Sequence, residues 1–207
     1  MNDHSFESTP PAPPPADLAS WVREPGAGDS TIEENWLFRL RRERFRSRRS
    51  GKAHDFFVMG LADAVNVIAL TPDRTMIFVR QFRAGSGRDS LEPPGGLLVP
   101  GEDCCAAGAR ELLEETGYAG GPPEFLGSAY SNPSIMTSRI ALVLVRNARL
   151  VAEPKLDPGE EVAVELVPER SVLRLIGEGK IDHALSIMGL LWYFAAGATA
   201  SSLGGKP

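Results

Sequence analysis

Residues 91–118 read LEPPGGLLVPGEDCCAAGARELLEETGY, a glycine-rich run that leads into a short, charged segment. Asp103 suits a helix N-cap and Gly117 suits the left-handed residue just past a last turn, so a helix is predicted between them. With Glu111 at zero on a helical wheel, Glu115 falls at about 40° and Glu114 at about −60°. Cys105, Ala109, Leu112 and Leu113 gather on the opposite side, the predicted apolar face. Like charges four residues apart cost a helix about 0.2–0.5 kcal/mol. A cation between them removes that cost, and carboxylates with water and substrate phosphate are the usual surroundings of Mg²⁺. Cys104, Ala107 and Gly108, all small, flank the acids and leave room for something to dock. A solvated charge stripe is the plainer reading of such a face, and the spacing alone favours it.

The longer pattern overturns that reading. Gly96 is followed after five residues by Glu102, and after seven more by Arg110-Glu111-Leu112-Leu113-Glu114-Glu115-Thr116-Gly117-Tyr118. This resembles the signature of the Nudix hydrolases at every defined position. The resemblance implies a loop–helix–loop that binds divalent cations and hydrolyses a nucleoside diphosphate linked to another group. By it, Glu111 and Glu115 take the leading metal positions, Glu114 is a third ligand candidate, and the Gly95 carbonyl completes the set. Glycine suits that place because it lets backbone come close to an ion. Gly96, Glu102 and Gly117 read as structural, with Glu102 and Arg110 pairing to orient loop and helix. The general base of many such enzymes lies on a loop beyond the helix, and Glu160 and Glu161 in 157–161 (DPGEE) are equal candidates. Direct activation of water by Glu114 or Glu115 is the alternative.

The chain has 207 residues and a formal charge of −5, which suits one domain and argues against a molecule built as a whole for nucleic acid. Handling an anionic substrate then needs local cations. The two cysteines, Cys104 and Cys105, are adjacent and offer neither a disulfide framework nor zinc spacing. A reducing cytoplasm fits best, and the N-terminus lacks the basic and apolar regions of a signal peptide.

Residues 1–35, with PAPPPA at 11–16, read as a flexible proline-rich arm, residues 36–197 as the catalytic domain and 198–207 as a flexible tail. Leu18, Trp21 and Val22 are apolar enough for the arm to cross to a partner subunit. Residues 36–52 carry seven Arg and one Lys against one Glu, read as an exposed strand pair whose Arg stems cover apolar surface. Strands are predicted at 56–61, 64–70 and 75–81, forming a meander, and again at 124–131, 139–145 and 162–167. Two helices close the chain, at 168–178 with Val172, Leu173, Leu175 and Ile176 as its stripe, and at 182–196 capped by Asp182. The uncharged run 184–200 is short for a membrane span and is read as a helix buried on a sheet. The class is α+β. The Nudix resemblance sharpens it to an α/β/α sandwich with a mixed sheet.

Outside the signature, VRQFR at 79–83, LEPPGG at 91–96, Pro133 and the C-terminal helices resemble the ADP-ribose and nucleotide-sugar pyrophosphatases over about residues 36–195. That likeness implies Arg83 and Glu92 as substrate-side residues, with Arg80 as a further candidate and Met136 lining a terminal-sugar pocket. It also implies a homodimer. Gly95 where those enzymes usually carry Ala, and 134–139 (SIMTSR) after the proline, depart from the pattern and leave the sugar open. The expected activity is a Mg²⁺-dependent (or Mn²⁺-dependent) pyrophosphatase yielding a nucleoside monophosphate and a sugar phosphate from ADP-ribose, GDP-mannose or a similar compound. The alternatives are a Nudix-fold nucleotide-sugar sensor without turnover, or an RNA 5′-end pyrophosphatase using the Arg39–Arg49 strip. No membrane and no nucleic acid are expected as partners.

Overall fold

The computed structural model describes residues 20–24, 26, 29–156 and 159–203, with side chains as far as Ala196. The PAPPPA segment, Leu18, Asp157, Pro158 and the last four residues lie outside the described residues. The chain forms two compact units, residues up to Asp63 with Ala129–Arg139, and Ala64–Ser128 with Ile140 onward. The domain expected from 36 to 197 runs through both.

In the first unit β1 (Trp21–Arg23), β2 (Ser30–Glu34), β3 (Arg39–Ser47) and β4 (Ala53–Gly60) make one sheet. β2 and β1 pair end to end along one edge of β3, and β4 covers the other. Part of the predicted arm is therefore strand. The arginine strip becomes β3, and its charges are largely answered by neighbouring acids: Arg39 pairs with Glu34, Arg41 with Glu43 at 3.1 Å, Arg44 with Asp55 at 3.0 Å and Arg46 with Glu24 at 2.6 Å. Such pairing leaves little uncompensated charge for a phosphate backbone.

The second unit contains β5 (Ala64–Leu70), β6 (Thr75–Arg83), β7 (Arg88–Glu92), β8 (Gly95–Leu97), α1 (Cys104–Thr116), β9 (Tyr118–Ala119), most of β10 (Glu124–Tyr130) and β11 (Arg139–Val145), β12 (Arg149–Leu150), β13 (Val162–Pro168), α2 (Glu169–Gly177) and α3 (Ala184–Leu203). Its mixed sheet runs β10-β11-β5-β6-β13, with β7 on β6, β8 on β5, and β11 parallel to β5. The predicted meander is corrected: β4 pairs with β3, and only the β5–β6 hairpin forms.

β5 is apolar on both faces, as a central strand covered on two sides must be. Val65, Val67 and Ala69 pack with Ala107 and Leu112 of α1, whereas Ile68 and Leu70 pack with Phe78, Leu142, Val172 and Leu190 on the α2 and α3 side. Burying each large side chain contributes about 1.5–3 kcal/mol. The result is a helix–sheet–helix sandwich. On α2, Val172 is buried but Leu173 is exposed, which narrows the predicted stripe. α3 starts at Ala184, and Asp182 pairs with Arg88 rather than forming the predicted cap. Among the described residues no helix is long and apolar enough to cross a membrane.

Candidate active site

α1 begins as its ends dictate. Asp103 accepts from the N–H groups of Cys105 and Ala106, both at 3.0 Å, and Gly117 closes the helix at φ 74°. The face it buries is not the expected one. Ala107, Gly108, Leu112, Glu115 and Thr116 are buried, whereas Leu113 is exposed. The small residues that promised room for a ligand instead let the helix press on the sheet, since a methyl on Gly108 would meet Val143 at 3.2 Å and Val67 at 3.3 Å. Glu115 shares that face and is carried inward with it, to 4% exposure.

The sheet opens where Glu115 arrives. β5 and β6 pair only at Ala69–Ile77 and Leu70–Met76, after which β6 takes β7 as its neighbour and β5 takes β8. Gly95 and Gly96 sit in β8, and each is required by a different neighbour. A methyl on Gly95 would stand 2.0 Å from the Val65 carbonyl oxygen, and one on Gly96 2.4 Å from Glu111 Oε1. The Gly95 N–H donates to Glu115 Oε2 at 2.9 Å.

Burial pushes the Glu115 carboxyl up to about 8; the charges of Glu111 and Glu160 add to the rise, and the Gly95 N–H and Arg83 oppose it. Glu111 is also raised, chiefly by burial, with Arg110 opposing and Glu114 and Glu160 adding. Arg110 is the hub of the acidic edge. It grips Glu102 through Nε and Nη2 at 3.0 and 3.1 Å, and its Nη1 donates to Glu111 at 2.8 Å and Glu114 at 3.0 Å. Glu102 in turn accepts the Val99 N–H at 3.0 Å, which ties the loop to the helix.

Beside this cluster Arg83 makes a two-pronged bond to Glu92, at 2.9 and 3.1 Å. Burial opposes ionisation of Glu92, but the bonds and charge of Arg83, with His183 and Ser90 assisting, hold its carboxyl below the usual value. The Arg83 guanidinium is raised, most by its bond to Glu92 and further by Glu115 and Glu160.

A loop–helix–loop with this signature and sandwich matches the description "NUDIX domain" over residues 60–186. The chain belongs to the Nudix family. It is a hydrolase of phosphorus-containing anhydrides, the class of that family. It is 31% identical over 136 residues to the ADP-ribose pyrophosphatase of Bacillus subtilis (strain 168), covering 65% of this chain and 74% of that protein. The ADP-sugar pyrophosphatase of Mus musculus is 35% identical over 133 residues, covering 59% and 61%. A crystal structure of an ADP compounds hydrolase superposes with a TM-score of 0.75 at 20% identity, over 86% of this chain and 94% of that one, which shows the shared fold.

The donors present fit the Nudix family's need for a divalent ion. Glu111 and Glu115 could hold one through hard oxygen atoms, since burial and mutual repulsion penalise their charges and a cation would relieve that cost. Among the described residues no three acidic, His or Cys side chains form a closed cage.

The structure thus brings together Glu111, Glu114, Glu115, Gly95, Gly96, Glu102, Arg110, Arg83 and Glu92. Of the loop pair, Glu160 is the residue whose charge acts on Glu111, Glu115 and Arg83. Arg80 is not brought to this cluster. It shares a strand face with Phe78, bonds Glu165 at 2.7 Å and lines a cavity of about 410 Å³ with Leu175 and Lys180. Met136 belongs to the first unit, bridged to Met59. His183, which no motif singles out, stands at Glu92. A lone histidine ahead of a helix gives no signal in the sequence.

Proposed function

We propose that the protein hydrolyses a nucleoside diphosphate sugar of the ADP-ribose class to a nucleoside monophosphate and a sugar phosphate, with Mg²⁺ as its ion and Mn²⁺ as a substitute. One observation carries the reading: Glu115 lies buried against Gly95 in the opening of the sheet, within reach of the charges of Glu111 and of Arg83, which is paired with Glu92. The names of the Bacillus subtilis and Mus musculus relatives support the substrate class.

Glu111, Glu115 and the Gly95 carbonyl would hold the ion, with Glu114 as a further ligand. When bound, the ion polarises a phosphoryl group and lowers the pKa of water. Glu160 takes the proton of the attacking water as the oxygen bonds to phosphorus and the bridging P–O bond breaks. Arg83, charged and held by Glu92, orients the diphosphate. Arg110 keeps Glu111 and Glu114 in place from behind. Free thiols at Cys104 and Cys105 fit a reducing cytoplasm, and the N-terminal strands are proposed to help build a homodimer.

The test is phosphatase-coupled release of phosphate from ADP-ribose, GDP-mannose, UDP-glucose, Ap4A, NADH, dGTP and capped RNA, each with Mg²⁺, Mn²⁺ or EDTA. Turnover of one nucleotide sugar is expected, abolished by EDTA and by Glu115→Gln. Tight binding of one compound with no turnover of any would replace the enzyme with a sensor.

A further inference from the structure

Glu92 has two basic neighbours, Arg83 and His183. Arg83 approaches along β6, bonding Oε1 and Oε2. From the residue just before α3, His183 brings Nδ1 to 3.5 Å from Glu92 Oε2. The same Nδ1 lies 3.2 Å from the hydroxyl of Ser186, one turn along and fully buried. Nδ1 carries at most one hydrogen, so the hydroxyl at 3.2 Å and the carboxylate at 3.5 Å share it, the nearer hydroxyl taking the larger part. Ser186 then fixes the tilt of the ring, and the ring limits rotation of the carboxylate. Rotation of that carboxylate is what would break the fork with Arg83, because a two-pronged bond needs both oxygens in the guanidinium plane.

We propose that His183 is a positioning residue, held by Ser186, that locks the Glu92 carboxylate and thereby presents Arg83 to the diphosphate of the substrate. The assignment of Arg83 to the substrate rests on the function proposed above; the lock itself does not. It ties the first turn of α3, remote in sequence from the signature, to the polar end of β6. Loss of the lock leaves the metal carboxylates untouched and loosens one substrate contact, so it acts on binding more than on the chemical step.

Two readouts separate the lock from the substrate assignment. The first is hydrogen exchange at the Arg83 Nε–H, followed by NMR of arginine-labelled protein without substrate. The bond to Glu92 protects this proton, and His183→Ala is expected to speed its exchange by about threefold, the weight of a weak, shared hydrogen bond. His183→Asn, which keeps a donor near the Nδ1 position, is expected to restore most of the protection. The second readout is kinetic: His183→Ala should raise KM for ADP-ribose about threefold with kcat within about twofold, and add nothing once Arg83 is Ala.

Unchanged exchange in a folded His183→Ala protein would overturn the lock, as would equal loss in His183→Asn. Should His183→Ala not fold, His183→Phe, which keeps the bulk of the ring without a donor, decides the same point: faster exchange supports the lock and unchanged exchange sinks it. Wild-type protein that turns over no nucleotide sugar would overturn the substrate reading while the exchange result still stands.

Discussion

Gly95 and Glu115 are twenty residues apart in the chain and joined by one hydrogen bond of 2.9 Å, backbone N–H to Oε2. That bond, at the mouth of the opening between β5 and β6, fixes the innermost acid of the site against the strand expected to supply a carbonyl ligand.

The raised pKa of Glu115 makes metal-free protein pH-sensitive. Its carboxyl moves from an ordinary 4.5 to about 8, so the folded state holds a proton that the unfolded state has released. Stability therefore falls as pH rises from about 4.5 towards 8. Thermal melts in EDTA from pH 5 to 8.5 should show this decline, and Glu115→Gln should flatten it and melt higher than wild type at pH 8. A wild-type profile no steeper than that of the variant would contradict the burial argument.

Added Mg²⁺ or Mn²⁺ should raise the melting temperature at pH 8, the rise growing with the logarithm of ion concentration once that exceeds Kd. Glu111→Gln and Glu115→Gln should each abolish most of that rise, and titration should show protons released on binding.

The two adjacent glycines should fail differently. Gly96→Ala pushes the Glu111 carboxylate aside, a flexible group, and should cost about 100-fold in kcat with little loss of stability. Gly95→Ala meets the backbone oxygen of Val65, which cannot yield without moving β5, and should cost about 1–3 kcal/mol of stability as well as activity. Steady-state kinetics and urea melts on the same preparations distinguish the two.

Glu160→Gln should lower kcat by about 10²–10⁴-fold with KM little changed, the effect of removing a general base. Glu161→Gln should stay within about threefold of wild type. Equal losses in the two variants would point to a structural effect of the loop.

Arg83→Ala should raise KM for the nucleotide sugar by about tenfold or more, the weight of a lost charge-assisted contact. Arg80→Ala should stay within about threefold, because its side chain faces α2 and is spent on Glu165. A larger effect at Arg80 than at Arg83 would reverse the assignment of strand faces.

The motif from Gly96 to Tyr118 was enough to identify the family, and the helix with its Asp103 and Gly117 ends. These are local properties: a cap bonds backbone two and three residues away, and helical periodicity sets which residues are neighbours. The Glu102–Arg110 pair was legible for the same reason, loop and helix being adjacent in the chain. What lay beyond local reach was which face of α1 would be buried. Hydrophobicity pointed to Cys105, Ala109, Leu112 and Leu113; Leu112 is buried, but the close approach of Gly108 to Val67 and Val143 rotates the buried face away from Leu113 and takes Glu115 inside. Arg80 and Arg83 look alike in the string VRQFR, and only the alternation of β6 between two packed faces separates them. The action of the Glu160 charge on Glu111 and Glu115, and the arrival of His183 at Glu92, likewise depend on where distant segments close over the sheet. The sequence by itself determined the local chemistry and the family; the tertiary structure decided which charges are buried, because desolvation depends on everything that packs around a group and not on its neighbours in the chain.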